Sequence, residues 1–283
     1  MAKVLVTGAT GFIGNYVIEQ LLAAKHEVIA SASSCAKAIN TAWYQNVTFI
    51  ELDFNKLNEN ENYFKYFQSP DKLIHLAWEG LHNYKGEYHI SQNLPRHYWL
   101  IQNLVQNGLN DISITGTCFE YGLQEGKLSE QTPAIPSNAY ATAKHLLREK
   151  LTELFNSYPT VSFKWLRLFY MYGMGQSPSS LIPQLEKALA NHDPVFNMSG
   201  GEQQRDFLPV EKVAAYIVKI ALQNKTTGII NVCSGEPVKL KDFVQNYLQQ
   251  QHATIQLNLG YYPYSDIEPM NFWGDNAKLL SIK

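Results

Sequence analysis

A tyrosine and a lysine stand four residues apart in the run Tyr140-Ala-Thr-Ala-Lys144. Side chains at this spacing share one face of a helix, where a neighbouring cation favours the phenolate and lowers the pKa of a tyrosine. A tyrosine with a lowered pKa can give or take a proton near neutral pH. The pair therefore predicts proton transfer at an oxygen atom, and the alternative is an ordinary pair of helix residues.

Three glycines near the start of the chain, Gly8, Gly11 and Gly14, follow a short apolar run and open a helical pattern. Glycine permits a tight turn close to a pyrophosphate, and the start of a helix offers unpaired N–H groups. This context favours a dinucleotide site over a purely structural turn. Since a bound nicotinamide gives or takes a hydride, the loop and the Tyr140/Lys144 pair together predict redox chemistry on an alcohol or ketone. The residues assigned to the loop site are Gly8, Thr10, Gly11, Phe12, Ile13 and Gly14.

Strand and helix patterns alternate over residues 1–170, and these elements must position the groups named above. The predicted strands are 3–7, 26–30, 47–52, 72–77, 111–115 and 161–169, and the predicted helices are 12–24, 90–106 and 138–156. Alternation of this kind builds a parallel sheet with helices on both faces. We therefore predict an α/β fold with a doubly wound, Rossmann-type dinucleotide domain over residues 1–170.

The pattern loosens after residue 170. Helices are predicted over 180–191, 210–223 and 240–250 and a strand over 228–232, while the tail from residue 260 has little periodicity. We predict a smaller, discontinuous C-terminal substrate lobe, mainly residues 171–283, with segments near 205–232 returning to the first domain. Ligands would bind between the lobes, at the carboxyl ends of the strands.

The end of the second predicted strand bears on the choice between NAD and NADP. An acidic side chain there binds the ribose hydroxyls of NAD, whereas residues 30–34 read Ala-Ser-Ala-Ser-Ser. Small hydroxyls, with Ser31 and Ser33 as candidate contacts and Lys37 just beyond, can accommodate a 2′-phosphate. The sequence thus favours NADP(H), with NAD(H) as the alternative if the serines merely start a loop.

Two other strand ends carry candidate cofactor contacts. Asp53 follows the third predicted strand, with Phe54 beside it, and its carboxylate could accept a hydrogen bond from adenine or cap a turn. Leu76, Ala77 and Trp78 end the fourth predicted strand, where the dinucleotide should pass. Small Ala77 would leave room for it, and Trp78 is either core packing or a wall of the substrate site.

A hydroxyl follows the fifth predicted strand at Thr117. Facing Tyr140 across the cleft, it could polarise a carbonyl oxygen and share in proton transfer. The alternative is a threonine that bonds only to the backbone of its own turn. Thr117, Tyr140 and Lys144 are therefore the candidate catalytic residues.

Composition excludes several other classes of function. The 283 residues are 45% hydrophobic and 17% charged, with a formal net charge of −2 and no long basic run, which argues against nucleic acid or an anionic membrane as partner. The three cysteines, Cys35, Cys118 and Cys233, are far apart and form neither a disulfide framework nor a zinc motif. The first apolar run leads directly into the glycine loop rather than forming a signal peptide, and no apolar stretch approaches the roughly 20 residues that span a bilayer. We predict a soluble, cytoplasmic protein without a metal.

These motifs together resemble the extended short-chain dehydrogenases/reductases that act on nucleotide-sugars. The resemblance spans the whole chain and rests on the segments 7–14, 75–77, 117–122, 140–144, 167–173, 205–207 and 231–235. It implies that Tyr140 is the acid/base, that Lys144 binds the nicotinamide ribose and lowers the tyrosine pKa, and that Thr117 is the catalytic hydroxyl. It also implies that Arg205 contacts the diphosphate of the sugar nucleotide, the alternative being a surface ion pair with Asp206.

Departures from the family pattern narrow the expected reaction. Nucleotide-sugar 4,6-dehydratases carry Asp-Glu directly after the catalytic hydroxyl residue, where this chain has Cys118 and Phe119. The 3,5-epimerase/reductases carry a cysteine two residues after that hydroxyl, which is again Phe119 here. Simple 4-epimerases usually hold NAD with an acidic residue after the second strand. The runs 75–80 and 272–279 look like bacterial dTDP-4-dehydro-6-deoxyhexose reductases.

The resemblance therefore implies NADPH-dependent reduction of the 4-keto group of a nucleotide-linked 6-deoxysugar. Two alternatives stay open: a nucleotide-sugar 4-epimerase with tightly held NAD, and a non-catalytic dinucleotide-sensing protein. A homodimer is expected from the family, formed by the helices near 90–106 and 138–156. The residues expected to touch the nucleotide-sugar are Trp78, Thr117, Tyr140, Ser180 and Arg205.

Overall fold

Seven parallel strands form the central sheet of the structure, a computed structural model that describes residues 1–282. They are β1 (Lys3–Thr7), β2 (Glu27–Ala32), β3 (Thr48–Glu51), β4 (Lys72–His75), β5 (Asp111–Thr117), β6 (Ser162–Leu168) and β7 (Gly228–Val232). Their spatial order is 7-6-5-4-1-2-3. The order reverses between β1 and β4, and ligands of doubly wound sheets bind in the crevice at such a point. The predicted Rossmann-type fold is confirmed.

Helices cover both faces of this sheet. The helices of the chain are α1 (Phe12–Ala23), α2 (Cys35–Ala38), α3 (Tyr63–Tyr66), α4 (Leu94–Gln106), α5 (Ala139–Phe155), α6 (Leu181–Ala190), α7 (Val210–Leu222), α8 (Leu240–Gln250) and α9 (Ala277–Ser281). Successive strand residues face opposite sides, so Val4 and Val6 pack with α1 and α7, whereas Leu5 packs with α4 and α5. Two hydrophobic cores result, one on each face.

A third core lies in the C-terminal part of the chain. Helices α6 and α8 bury apolar side chains against the paired strands Val195–Asn197 and Gln256–Asn258. Three more strand pairs complete the chain: Gln204–Arg205 with Val238–Lys239, Tyr170–Tyr172 with Phe207–Pro209, and Gly126–Leu128 with Phe272–Gly274. Helix α7 and strand β7 follow residue 170 in the chain but pack with the central sheet. The division into domains at residue 170 stays a prediction.

Several strand boundaries differ from the predicted ones by one or two residues, and two of these differences lie beside the candidate catalytic residues. Strand β4 ends at His75 rather than at residue 77, so Leu76, Ala77 and Trp78 follow the strand. The glycine loop passes so close there that a Cβ on Gly8 would lie 2.7 Å from the Ala77 nitrogen. Strand β5 instead continues to Thr117, because its pairing with β6 extends that far. Across residues 1–282, no helix is long and apolar enough to cross a membrane.

Candidate active site

The glycine loop joins β1 to α1 at the carboxyl edge of the sheet. Gly8 has a φ of +72°, which L side chains rarely adopt, and a Cβ on Gly14 would collide with the carbonyl oxygens of Gly8 and Ala9. Gly11 is the N-cap of α1, whose first N–H groups lack intrahelical partners. The loop thus offers close backbone approach and a helix N-terminus, the two features that suit a pyrophosphate. Thr10, Phe12 and Ile13 are half-buried around it.

The carboxylate of Glu51, on the neighbouring strand β3, lies beside the end of β2, which the sequence did not predict. Ser31 is buried inside β2, whereas Ser33 is exposed beyond it. Glu51, the last residue of β3, pairs in register with Ala32, and its Oε2 accepts a 2.7 Å hydrogen bond from the backbone N–H of Cys35. The acidic group that segment 30–34 lacks is therefore supplied by the neighbouring strand.

Asp53 and Phe54 have structural partners at the end of β3. The Asp53 carboxylate caps the turn at Phe54–Lys56, accepting a 2.9 Å hydrogen bond from the Asn55 N–H, and this bond lowers the pKa of Asp53. Phe54 is only 5% exposed and stacks on His97. The turn-capping alternative for Asp53 is thus observed, and its contact with adenine stays a prediction.

Thr117 and Tyr140 come together at the carboxyl end of β5. Helix α5 begins after Asn138, whose side chain accepts a 2.9 Å hydrogen bond from the Ala141 N–H, so Tyr140 lies in the first turn. Its side chain is only 9% exposed. Thr117 lies close enough to Tyr140 to lower the pKa of its phenol. Thr117 also accepts a 3.2 Å bond from the Phe119 N–H, so the turn alternative is observed and the catalytic role of this threonine stays a prediction.

The predicted lowering of the Tyr140 pKa by Lys144 is wrong. Burial raises the pKa of Tyr140 well above its usual value, the neighbouring Tyr84 and Glu120 add to the rise, and Thr117 opposes it. The Lys144 ammonium instead donates a 2.8 Å hydrogen bond to the Thr115 carbonyl. Burial also lowers the pKa of Lys144 to about 7, against the charges of Glu120 and Glu79. Tyr140 is therefore a neutral phenol that can donate a proton.

A buried ion pair lies beneath Thr117, and the sequence analysis did not predict it. Glu120 is fully buried: its Oε1 accepts from the Thr117 N–H and the Trp165 indole, each at 2.9 Å, and its Oε2 accepts from Arg167 Nε at 3.0 Å. A Cβ on Gly116 would collide with Glu120 and Trp165. The spacing Thr117-x-x-Glu120 is a capping box, the signal that could have identified this glutamate.

Trp78 lies beside both candidate catalytic side chains of α5. Its indole is 4.2 Å from Lys144 Nζ and meets the Tyr140 ring edge-on at 6.1 Å. The indole N–H donates a 3.0 Å hydrogen bond to His89 Nδ1. Leu76 and Ala77, between β4 and Trp78, are half-buried at the same edge.

Arg205 is buried and has a different partner from the one predicted. Its Nη2 lies 2.8 Å from Glu268 Oε2, and its Nη1 donates to the carbonyls of Gln204 and Met270. Asp206 is not its partner, because that carboxylate accepts from the N–H groups of Ser234 and Gly235. The surface ion pair is therefore wrong.

Ser180 stands apart from the Thr117–Tyr140 region, at the start of α6. It is half-buried there. Within residues 1–282, no three His, Cys, Asp or Glu side chains form a group that could hold a metal ion.

Comparison with known proteins identifies the family. The model of the NAD dependent epimerase/dehydratase family matches residues 4–233, which include the sheet, Thr117, Tyr140, Lys144 and Arg205. The chain belongs to this family. It is an enzyme of this NAD-dependent family, and the resemblance drawn from the motifs is confirmed.

Similar proteins act on nucleotide-sugars. The chain is 28% identical to dTDP-6-deoxy-L-talose 4-dehydrogenase (NAD(+)) of Aggregatibacter actinomycetemcomitans, across 96% of this chain and 99% of that protein. It is 25% identical to GDP-6-deoxy-D-talose 4-dehydrogenase of the same organism, across 99% and 90%. A solved UDP-N-acetylglucosamine 4-epimerase from Methanobrevibacter ruminantium M1 shares the fold, with a TM-score of 0.87 at 22% identity, covering 100% of this chain and 92% of that chain.

Proposed function

We propose that the protein interconverts the 4-keto and 4-hydroxyl forms of a nucleotide-linked 6-deoxysugar, acting mainly as a ketoreductase. The observation that carries this proposal is the buried neutral phenol of Tyr140, close to Thr117, in a family of nicotinamide-dependent enzymes. A neutral phenol suits a reduction, because the alkoxide that develops at C4 needs a proton donor. The two talose 4-dehydrogenases among its relatives support the sugar class.

Tyr140, Thr117 and Lys144 would have separate roles in the reaction at C4. Tyr140 donates its proton to the sugar oxygen, and the Thr117 hydroxyl hydrogen-bonds the same oxygen, stabilising the charge that develops there. The glycine loop would hold the pyrophosphate of a dinucleotide, whose nicotinamide would supply the hydride. Lys144 holds the nicotinamide ribose and contributes positive charge beside the phenol.

Elimination of water is disfavoured because the groups around Thr117 cannot serve as its base. Cys118 is 5% exposed, and burial raises the pKa of its thiol far above the usual range. Both oxygens of Glu120 already accept hydrogen bonds, from Thr117, Trp165 and Arg167. This supports reduction over dehydration.

The direct test is oxidation of NADH or NADPH with a small panel of nucleotide-4-keto-6-deoxyhexoses, followed by NMR of the product. We expect stoichiometric cofactor oxidation and a new C4 hydroxyl in one configuration. No turnover on any panel member, in a protein that still binds the cofactor, would support the dinucleotide-sensing alternative.

Glu51 bears on the choice of cofactor. The serines of segment 30–34 predict NADP(H), whereas the Glu51 carboxylate beside them would repel a 2′-phosphate and accept from ribose hydroxyls. We propose NAD(H) as the preferred cofactor for this reason. The relative dTDP-6-deoxy-L-talose 4-dehydrogenase (NAD(+)) supports this choice.

Glu51→Gln should therefore shift the ratio of kcat/KM for NADH to that for NADPH toward NADPH by about tenfold, or about 1.4 kcal/mol. Steady-state kinetics with both cofactors measure it. Glu27→Gln, which removes a charge at the opposite end of β2, is the control. A wild-type preference for NADPH that Glu51→Gln leaves unchanged would restore the serine-based prediction.

Arg205 is proposed to bind the diphosphate, with Ser180 at the nucleotide end. The guanidinium already pairs with Glu268, so a diphosphate must share or replace that carboxylate. Arg205→Gln should raise KM for the nucleotide-sugar about tenfold or more, since a charge-assisted hydrogen bond contributes about 1.5–3 kcal/mol. KM for the cofactor is the internal control. Glu268→Gln should instead lower KM for the nucleotide-sugar, and equal KM values in all three proteins would exclude this role.

A 4-epimerase with tightly held NAD is the second candidate. Simple 4-epimerases usually hold NAD with an acidic residue after the second strand. The sequence of β2 lacks one, but the Glu51 carboxylate lies at the end of β2 and therefore favours this candidate. An epimerase would convert a nucleotide-hexose with no added cofactor and no net NADH consumption. The same panel, run without cofactor, separates the two reactions.

A homodimer through α4 and α5 is also proposed, as expected from the family. These helices pack together on one face of the sheet. Light scattering on the purified protein measures its mass, and a monomer at micromolar concentration would contradict the proposal.

A further inference from the structure

The Lys144 ammonium rests on a stack of two rings. Its Nζ lies 4.2 Å from the centre of the Trp78 indole. The indole stacks in turn on the His97 imidazole, with ring centres 4.6 Å apart and planes inclined by 19°. A cation is attracted to the face of an indole. The position of the ammonium therefore depends on what holds these rings.

A chain of hydrogen bonds fixes the stack. His97 Nε2 lies 3.0 Å from Glu79 Oε2, His75 Nε2 lies 2.8 Å from His97 Nδ1, and Thr7 Oγ1 lies 2.8 Å from His75 Nδ1. An ionised carboxylate only accepts, so His97 donates to Glu79, His75 donates to His97, and the Thr7 hydroxyl donates to His75. Burial lowers the pKa of both histidines, so each is neutral and the chain has one direction.

Glu79 is the one charged member of this chain of hydrogen bonds. Its side chain is 41% exposed. Burial raises its pKa, but the hydrogen bond from His97 and the positive charge of Lys144 are among the causes that outweigh burial, and the pKa is lowered overall. Glu79 is therefore a carboxylate at neutral pH, at the far end of the ring stack from Lys144.

Few groups near Lys144 carry charge. The side chains that face it are His75, His89 and His97 from the β4 side, Glu79 after β4, and Glu120 after β5. Tyr140 lies one turn away on the same helix. The histidines and the tyrosine are neutral, so Glu79 and Glu120 are the carboxylates that stabilise the ammonium, and Glu120 is already paired with Arg167.

We propose that Glu79 is a positioning residue that, through His97 and Trp78, holds the Lys144 ammonium in place and keeps it charged. The inference deepens the proposed function and rests on it, because a charged Lys144 is what the ribose contact and proton transfer by Tyr140 require. The same hydrogen-bond chain ends at Thr7, so Glu79 also links Lys144 to the strand that carries the glycine loop.

Glu79→Gln is the variant that tests this inference, because it removes the charge while keeping an acceptor for His97. With lysines labelled by ¹³C at Cε, Lys144 should titrate near pH 7, far from ordinary lysines near about 10.4, and Lys144→Met identifies its signal. In Glu79→Gln we expect the Lys144 midpoint to fall by about 0.5 or more. The alkaline limb of the profile of kcat/KM against pH should move down equally.

Glu149→Gln is the matched control, since Glu149 lies on α5, is 52% exposed and does not face Lys144. Its titration and pH profile should equal those of the wild type. An unchanged Lys144 midpoint in Glu79→Gln, or an equal shift in both variants, would overturn the inference. The titration needs no substrate, so a shifted midpoint in a protein that reduces no nucleotide-sugar would support the role of Glu79 and refute only the proposed reaction.

Discussion

Replacing Tyr140 with phenylalanine should lower kcat about 100-fold or more, because the reaction loses its general acid. The ring itself should stay in position. It stacks on Tyr84 with centres 5.3 Å apart and meets Trp78 edge-on, and neither contact uses the hydroxyl. Steady-state kinetics with a nucleotide-4-keto-6-deoxyhexose measure the loss, and a fluorescence titration with NADH should give a nearly unchanged Kd.

Tyr216→Phe is the matched control for this experiment. Tyr216 is half-buried on α7, on the other face of the sheet, so its variant loses the same hydroxyl away from the site. It should keep wild-type turnover. A Tyr140→Phe variant that turns over as fast as Tyr216→Phe would exclude Tyr140 from proton transfer.

The Tyr140/Lys144 pair illustrates what residue spacing can and cannot predict. Spacing of four residues predicts one helix face, and both residues lie on α5, where the Trp78 ring is close to each of them. It does not report burial, which raises the pKa of Tyr140 and lowers that of Lys144. Desolvation is the largest cause of both shifts because both residues are almost wholly enclosed, at 9% and 1% exposure. The predicted direction of the Tyr140 pKa shift is wrong for this reason.

Features built from neighbouring residues were the most predictable. Gly8 and Gly14 lie in a loop whose geometry depends on residues within a few positions. The pattern of apolar runs before residue 170 predicted six of the seven strands of the central sheet. The end of β4 was harder, because the chain leaves the sheet where the glycine loop of a different segment passes.

Contacts between distant segments could not be predicted from one sequence. Glu51 reaches the start of α2 only because β2 and β3 pair in a particular register. Arg205 meets Glu268, 63 residues away, in a tail without clear periodicity. Both contacts add a carboxylate where the sequence suggested none. Glu51 bears on the proposed choice of cofactor, and Glu268 bears on the proposed diphosphate site.

Glu120→Ala should be the most destabilising of these substitutions, by about 3–5 kcal/mol. The loss of the carboxylate leaves the Arg167 guanidinium, only 1% exposed, as an unpaired buried charge. It also removes the acceptor of the Thr117 N–H and the Trp165 indole. For a chain of this length the thermal midpoint should fall by roughly 6 °C or more, and scanning calorimetry measures it.

Two comparison variants separate the buried charge from the lost hydrogen bonds. Glu120→Gln keeps an acceptor for the Thr117 N–H while removing the charge, so it should be less destabilising than Glu120→Ala. Glu149→Ala breaks an ion pair on the exposed side of α5 and should cost about 1 kcal/mol or less. Equal midpoints for Glu120→Ala and Glu149→Ala would mean that the pair under Thr117 contributes no more than a surface contact. The expected ranking instead links Thr117, the proposed catalytic hydroxyl, to the core, because the carboxylate that neutralises Arg167 also accepts from the Thr117 N–H.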